Sequence, residues 1–251
     1  MAGRLLGKIA IVTGGASGFG HGIARKFVNE GAKVMLADLN SENGEKVRKE
    51  LDCKFVKANV SMRADWEHIL KTTVDAYGGI DIIVNNAGAC YQNKPTIEVT
   101  DEDYDLCMNV NTKSLFLSTS VILPHLMSQN RGGVFIQISS TSATKRPRPG
   151  LTWYSASKAA IVTASKSMAV EYAPQQIRFN CISPVVGGTG MTHLFLGKPD
   201  TLGNRKAFMS TIPMGRFSTP EDVGNAACYL ASNEAAFVTG VELEVDGGRC
   251  V

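Results

Sequence analysis

Short apolar runs alternate with helix-like segments along the sequence, which predicts an α/β fold with a doubly wound parallel sheet. Several of the runs are apolar nearly throughout, and no linker-like stretch interrupts the 251 residues. Strands that are covered on both faces need apolar side chains on both sides, and repeated strand–helix units build such sheets. We therefore expect one Rossmann-like domain, residues 1–251, with about seven strands and helices on both faces.

Seven runs are predicted as strands, at residues 8–14, 33–38, 54–60, 80–88, 133–140, 177–184 and 241–248. A basic and apolar N-terminus resembles a secretion signal, but it continues directly into a glycine-rich turn, so we interpret residues 8–13 as the first strand. Residues 20–31 predict an amphipathic helix, since Ile23 and Phe27 share an apolar face and Gly31 supplies a C-terminal stop.

Composition excludes several functional classes. The net charge is +3 with basic residues spread along the chain, which does not indicate a nucleic-acid partner. No apolar run is long enough to span a bilayer. The six cysteines form no C-x-x-C pair and have no histidine cluster nearby, so we expect reduced thiols, no metal site and a cytoplasmic location.

One long segment breaks the alternation. Residues 185–219 are too long for a simple connection, and such insertions are often lids or binding loops. The apolar residues Leu194, Phe195, Phe208 and Met214 favour a packed substrate lid at about residues 187–217 over a disordered insertion.

A glycine-rich turn, TGGASGFG at residues 13–20, follows the first strand and opens the first helix. Glycine lets the backbone approach a pyrophosphate, which the helix N-terminus attracts. Asp38 ends the second strand, where a carboxylate accepts hydrogen bonds from ribose hydroxyls and repels a 2′-phosphate. Leu39, not arginine, follows it. The pattern favours NAD over NADP; the alternative is that Asp38 is only a helix cap or turn residue.

The glycine spacing is G-x-x-x-G-x-G, which resembles the short-chain dehydrogenase/reductase family. The resemblance covers nearly the whole chain: NNAG (85–88), Asn59-Val60, Asn111, Ser140, YSASK (154–158), ISP (182–184) and VDGG (245–248) follow in the family's order. It implies that the nicotinamide cofactor contacts Gly14, Ser17, Gly18, Phe19, Gly20, Asp38, Leu39, Asn59, Val60, Asn86, Ala87, Gly88, Tyr154, Lys158, Pro184, Gly187 and Thr189.

Tyr154 and Lys158 are four residues apart, which puts them on one helix face. Hydride transfer to a carbonyl leaves charge on oxygen that a group must protonate. A phenol titrates near 10, and a nearby ammonium favours the phenolate. Lowering the pKa of the phenol to near neutral pH requires roughly 4 kcal/mol of preferential stabilisation of the phenolate. The resemblance implies the same roles for this pair, a hydrogen bond from Ser140 to the substrate oxygen, and an Asn111-anchored water that links Lys158 to solvent.

Alternatives remain at two positions. Ser139, Thr141 and Ser142 compete with Ser140 for the hydroxyl role, and Asn109 competes with Asn111. Ser140 and Tyr154 are 14 residues apart, where family members commonly have 13, so we expect a different local loop.

The substrate pocket is expected to be mainly apolar and aromatic, lined by Cys90, Ser142, Trp153, Val185 and Phe195. We predict a hydrophobic secondary alcohol or ketone, cyclic compounds included. The basic run at residues 145–148 either attracts an anionic substrate or, as we favour, forms a solvated loop.

Small residues on the helix of Tyr154, together with the resemblance, predict a homotetramer. The tail at residues 248–251 is long enough to reach a neighbouring subunit. We expect the substrate to be a small molecule. The predicted function is an NAD(P)-dependent alcohol dehydrogenase or carbonyl reductase. Two alternatives use the same fold: a dinucleotide-sensing binding protein and a non-redox enzyme such as a cyclase or dehydratase.

Overall fold

The computed structural model describes residues 3–188, 190, 192–197 and 199–251. Its strands are β1 (Ile9–Thr13), β2 (Lys33–Asp38), β3 (Lys54–Lys57), β4 (Ile82–Asn85), β5 (Gly133–Ile138), β6 (Ile177–Pro184) and β7 (Glu242–Val245). Its helices are α1 (Gly18–Asn29), α2 (Ser41–Leu51), α3 (Arg63–Tyr77), α4 (Asp101–Cys107), α5 (Ser114–Gln129), α6 (Thr141–Thr144), α7 (Thr152–Glu171), α8 (Thr192–Leu196), α9 (Leu202–Met209) and α10 (Pro220–Ala231).

The strands pair in parallel in the order β3-β2-β1-β4-β5-β6-β7, so the predicted parallel sheet is confirmed. Each predicted apolar run contains one strand, which is as long as the run or shorter. The strand order reverses between β1 and β4. Ligands of open α/β sheets bind outside the carboxyl ends of the strands at such a reversal.

Two hydrophobic cores lie on opposite faces of the sheet. Val12 of β1 packs with Phe27 of α1 in one core, whereas the preceding residue, Ile11, packs with Trp66 of α3 in the other. Successive side chains of a strand point to opposite faces. A strand buried on both faces therefore needs apolar side chains at successive positions, as Ile9–Val12 of β1 provide.

Helix α1, which follows the glycine turn, is fixed by close packing on α10. A Cβ atom added to Gly22 would lie only 2.3 Å from Pro220 Cβ, so these two helices meet almost backbone to backbone. The N-terminus of α1 is thereby held at the carboxyl end of β1.

The predicted lid segment contains α8 and α9. Phe208 and Ile212 are buried and form a cluster with Val185, so these residues pack rather than extend into solvent. The start of the segment is tied to its end because Gly187 pairs with Ser218.

All six cysteines are free thiols. Within the described residues, no helix is long and apolar enough to cross a membrane, and no group of three or more potential ligands could hold a metal ion.

Candidate active site

A cleft of about 920 Å³ opens at the carboxyl ends of the strands. Most residues that the sequence nominated line it: Gly14, Ser17, Gly18, Phe19, Asp38, Leu39, Asn59, Val60, Asn86, Ala87, Gly88, Ser140, Ser142, Tyr154, Lys158, Pro184, Val185, Gly187 and Phe195. Four nominated residues, Gly20, Cys90, Asn111 and Trp153, are not part of this lining. Thr189 lies outside the described residues.

The glycine turn needs glycine for two different reasons. Gly14 and Gly18 have φ angles of 62° and 53°, in the region that side chains disfavour. Gly20 has an ordinary φ, but an added Cβ would lie 2.1 Å from the Gly14 carbonyl oxygen. Gly20 therefore lets the helix approach the turn, and it does not face the cleft.

The N-terminus of α1 fits an anionic group. Ser17 is the N-cap residue, yet its side chain makes no capping hydrogen bond, and the first turn has no acidic residue. Ser17, Gly18 and Phe19 all line the cleft. Backbone N–H groups and the helix dipole at such an end attract phosphate, so the turn suits the pyrophosphate of a dinucleotide.

Asn86 joins the glycine turn to the loop after β4. Its Nδ2 atom donates to the carbonyl oxygens of Thr13, at 2.8 Å, and Gly14, at 3.1 Å. In return, Thr13 Oγ1 accepts from the backbone N–H groups of Asn86, at 3.0 Å, and Ala87, at 3.1 Å. These bonds fix two loops that form the floor of the cleft.

Asp38 ends β2 and also braces the glycine turn. Its Oδ2 atom accepts from the Ala16 N–H at 3.0 Å, and Oδ1 accepts from the Asn40 N–H at 2.9 Å. Each carboxylate oxygen has a further lone pair that can accept from a hydroxyl, and Asp38 lines the cleft. The carboxylate thus fits a ribose diol while holding its own loop.

Lys158 is buried on α7, with 4% of its surface exposed. Its Nζ atom donates to the Ile138 carbonyl oxygen at 2.8 Å. Burial lowers the pKa of Lys158 to about 8, because the ammonium loses hydration that one carbonyl does not replace.

Tyr154 is buried beside it, and the edge of its ring meets Phe195, with ring centroids 5.2 Å apart. Burial raises the pKa of the phenol, and the hydrogen bond from Ser140 only partly opposes this. The net shift is opposite to the expected lowering, so that expectation is wrong for the protein by itself. The Lys158 ammonium is directed to Ile138, and burial has the larger effect.

Among the four candidate hydroxyl groups, that of Ser140 is the one that contacts Tyr154. It exchanges a hydrogen bond with Ser142 Oγ at 2.9 Å and contacts Tyr154 through the bond described above. Ser139 Oγ instead donates to the Lys158 carbonyl oxygen at 3.1 Å, which commits it to holding α7 on β5.

Asn111 is buried in a π-helical segment, Met108–Lys113. Its Nδ2 atom donates to the Ala89 carbonyl oxygen at 3.0 Å and to Ser157 Oγ at 2.9 Å, and Oδ1 accepts from the Ala89 N–H at 2.9 Å. Asn111 thus ties the loop after β4 to α7. A Cβ added to Gly88 would lie within 3.3 Å of both Asn111 Oδ1 and Lys158 Nζ, so both atoms border this glycine.

Two residues expected in the substrate pocket lie elsewhere. Trp153 stacks edge-to-face on Tyr104 at 5.3 Å, since adjacent helix residues point about 100° apart and Tyr154 takes the cleft direction. Cys90 is buried behind Tyr154, and its thiol donates to the Tyr91 carbonyl oxygen. Neither side chain is a wall of the cleft.

The sequence analysis favoured a solvated loop over an anion-attracting one at residues 145–148, and it did not single out Arg249. Arg146 and Arg148 line the cleft together with Phe208 of α9 and Arg249 of the C-terminal tail. Arg148 is half-buried, so the solvated-loop interpretation is wrong for it. In the sequence, Arg146 and Arg148 alternate with Pro147 and Pro149. The prolines stiffen the loop, and this was the one sequence signal that the loop is ordered. Arg249 shows that the tail borders the cleft of its own subunit.

Comparison with known proteins places this chain in a family. A family model described as enoyl-(acyl carrier protein) reductase matches residues 14–249. The chain is 44% identical over 247 residues to 4-formylbenzenesulfonate dehydrogenase of Comamonas testosteroni, covering 96% of this chain and 97% of the relative. The chain belongs to the short-chain dehydrogenase/reductase family.

Further members of the short-chain dehydrogenase/reductase family agree. 2,5-Dichloro-2,5-cyclohexadiene-1,4-diol dehydrogenase of Sphingobium indicum is 37% identical, with 100% of this chain and 99% of the relative covered. 3-Ketoacyl-(acyl-carrier-protein) reductase of Brucella melitensis, solved with NADH, has a TM-score of 0.93 at 37% identity and covers 98% and 100% of the two chains. The protein is thus an alcohol dehydrogenase or carbonyl reductase with a nicotinamide cofactor.

The burial of Lys158 predicts how stability depends on pH. Its pKa falls from 10.5 when unfolded to about 8 when folded, so between these values the unfolded chain binds more protons. Stability should therefore rise with pH across this window, by on the order of 3 kcal/mol from this group. Lys158→Met should flatten the rise, as measured by urea unfolding at several pH values. Lys166→Met, an exposed change on the same helix, is the control and should keep the wild-type slope.

Proposed function

We propose that the protein is an NAD-dependent oxidoreductase that interconverts a hydrophobic secondary alcohol, cyclic compounds included, and the corresponding ketone. The observation that carries the proposal is the grouping of Tyr154, Ser140 and Lys158 in the same cleft as the glycine turn and Asp38. A proton donor, a hydrogen-bond donor and a dinucleotide cradle are the parts that hydride transfer to a carbonyl requires.

The cofactor, when bound, supplies or takes the hydride. We propose that the α1 N-terminus holds its pyrophosphate, Asp38 its adenosine ribose, and Tyr154 and Lys158 its nicotinamide ribose. Leu39, Asn59 and Val60 are proposed to contact the adenosine. Gly88, Pro184, Gly187 and Thr189 are proposed to line the nicotinamide end.

Tyr154 is proposed to give its hydroxyl proton to the substrate oxygen during ketone reduction and to take it back during alcohol oxidation. A raised pKa keeps the phenol protonated at neutral pH, which suits the acid role. Ser140 Oγ donates a hydrogen bond to the same oxygen, and this bond strengthens as negative charge develops there. The Lys158 ammonium stabilises the phenolate that remains.

Asn111 is proposed as a positioning residue with a second task. Its bonds to Ala89 and Ser157 set the spacing between the loop after β4 and α7. Because Asn111 Oδ1 and Lys158 Nζ border the same glycine, we propose that a water on Oδ1 relays protons between Lys158 and solvent.

The substrate side of the cleft supports a hydrophobic substrate. Phe195 against Tyr154, Val185 of the wall and buried Phe208 of α9 are apolar. Two relatives are named for 4-formylbenzenesulfonate and for a cyclohexadiene diol, and both compounds contain a six-membered ring, which supports ring-containing substrates. Residues 187–217 are proposed to act as the lid over this end.

Tyr154→Phe should lower kcat by about 10²- to 10⁴-fold, since it removes the proton donor and little else. Absorbance of the reduced nicotinamide, with a panel of linear and cyclic secondary alcohols and NAD⁺ or NADP⁺, measures this loss. Tyr77→Phe, which removes a hydroxyl bonded to Val34 far from the cleft, is the control. Full activity of Tyr154→Phe would disprove the mechanism, and inactivity of the wild type on every alcohol and ketone would favour a non-redox enzyme or a sensor.

Asp38 should make NAD⁺ at least about tenfold better than NADP⁺ in kcat/KM, because a 2′-phosphate would meet the carboxylate. Asp38→Asn should narrow this ratio while it raises KM for both cofactors, since Ala16 and Asn40 lose part of their support. The NAD⁺/NADP⁺ ratio of kcat/KM reports the effect of the charge, because a loosened loop raises KM for both cofactors. A wild-type preference for NADP⁺ would contradict the assignment, and Asp105→Asn, exposed on α4, should change nothing.

We also propose a homotetramer. The outer side of α7 exposes the small residues Ala156, Ala160 and Thr163, and α5 exposes 60% of Phe116, which is unusual for an apolar side chain facing water. Multi-angle light scattering should give four times the mass of one chain; a monomeric mass would refute the assembly. The free thiols support a cytoplasmic location.

A further inference from the structure

Three arginines from distant parts of the sequence meet at one wall of the cleft. Arg146 and Arg148 lie in the loop between α6 and α7, and Arg249 lies in the C-terminal tail. The Arg146 Nη1 atom donates to the Arg249 carbonyl oxygen at 2.9 Å, so loop and tail are joined directly. The wall therefore has a fixed positive charge that no single stretch of sequence reveals.

Two of these arginines are held against an apolar ring. The guanidinium carbons of Arg148 and Arg249 lie 5.0 and 4.7 Å from the ring centre of Phe208, which is 8% exposed. Arg249 Nε also donates to Thr211 Oγ1 at 2.9 Å. A guanidinium that rests on an aromatic ring keeps the in-plane N–H donors that suit a carboxylate or sulfonate.

The charges in this wall repel one another. Burial lowers the pKa of Arg148, and the positive charge of Arg249 lowers it further; burial and Arg146 act on Arg249 in the same way. Asp246 and Cys250 partly oppose this at Arg249, but the Asp246 oxygens already accept from the N–H groups of Gly248 and Cys250.

Neighbouring cationic side chains outside the cleft form ion pairs with carboxylates. Lys145 pairs with Glu244 at 2.8 Å, and Arg205 pairs with Asp200 at 2.6 Å. Arg146 and Arg249, by contrast, form no ion pair with a carboxylate among residues 3–188, 190, 192–197 and 199–251. An anion in the cleft would relieve the repulsion.

Cys90 connects this wall with the reacting centre. Its side chain packs against Tyr154, and burial raises the pKa of its thiol, a rise that the charges of Lys158 and Arg148 partly oppose. Arg148 and Arg249 also line the same cleft of about 920 Å³ as Tyr154 and Lys158. A substrate of moderate size can place its carbonyl at Tyr154 and an anionic group at the arginines.

We propose that Arg148 and Arg249 bind an oxyanion of the substrate, so that the preferred substrates are ring compounds with a ketone or alcohol at one end and a carboxylate or sulfonate at the other. Arg146 holds the tail that presents Arg249 and adds positive charge. Phe208 and Phe195 contact the ring between the two ends. The inference rests on the proposed function, whose hydrophobic substrate it refines.

Calorimetric titration of the enzyme with NAD⁺ present tests the subsite without turnover. The probes are 4-acetylbenzoate, 4-acetylbenzenesulfonate and the neutral analogue 4-acetylbenzamide. At least one anion should bind about tenfold more tightly than the amide, and Arg148→Gln or Arg249→Gln should remove about that factor for the anion alone. The anion that binds more tightly shows whether the subsite prefers a carboxylate or a sulfonate. High salt should weaken binding of the anions and leave binding of the amide unchanged.

Lys145→Gln is the matched control, because it removes one charge from the same loop but not from the cleft, and it should leave anion binding unchanged. Equal binding of anions and amide, or arginine variants that weaken the amide as much as the anions, would overturn the subsite. If Arg148→Gln does not fold, Arg249→Gln decides alone. Retained arginine-dependent binding without reduction of any ketone by NADH would instead contradict the proposed function.

Discussion

The parallel direction of all seven strands is the constraint on which the rest of the structure depends. It brings the end of every strand to one edge, so that the glycine turn after β1, Asp38 of β2 and Ser140 after β5 meet although they are far apart in sequence. Strand packing alone does not fix the loops at this edge. The Asn86 amide bonded to Thr13 and Gly14 provides that link, and the side chain therefore stabilises the site rather than only lining it.

Burial is the dominant electrostatic influence at the reacting centre. It raises the pKa of Tyr154 and lowers that of Lys158, so both groups are shifted toward their neutral forms. A neutral phenol favours protonation of a carbonyl oxygen, whereas alcohol oxidation needs the phenolate. The same pair therefore serves the two directions unequally, and extra positive charge near the phenol is what the oxidative direction requires.

Sequence predicted the parts of the molecule that follow from local rules. Strands buried on both faces are mostly apolar, and the glycine turn has a spacing that few other structures require. Trp153 was misplaced because its direction depends on the rotation of one helix. Arg148 was assigned to a solvated loop and Arg249 was missed because the two are about a hundred residues apart, and only the folded loop and tail bring both onto Phe208. The pKa of Tyr154 was misjudged because the depth of burial is not a local property.

The position of Phe208 has an evolutionary consequence. Its ring touches cations from a loop and from the tail while it sits on a helix of the 187–217 segment, so three stretches form one wall. Residues that share a partner do not contribute independently, and effects of changes in these stretches should not add. Selectivity for new substrates would therefore arise most readily through combined changes in all three stretches, while the sheet and the cofactor floor remain as they are.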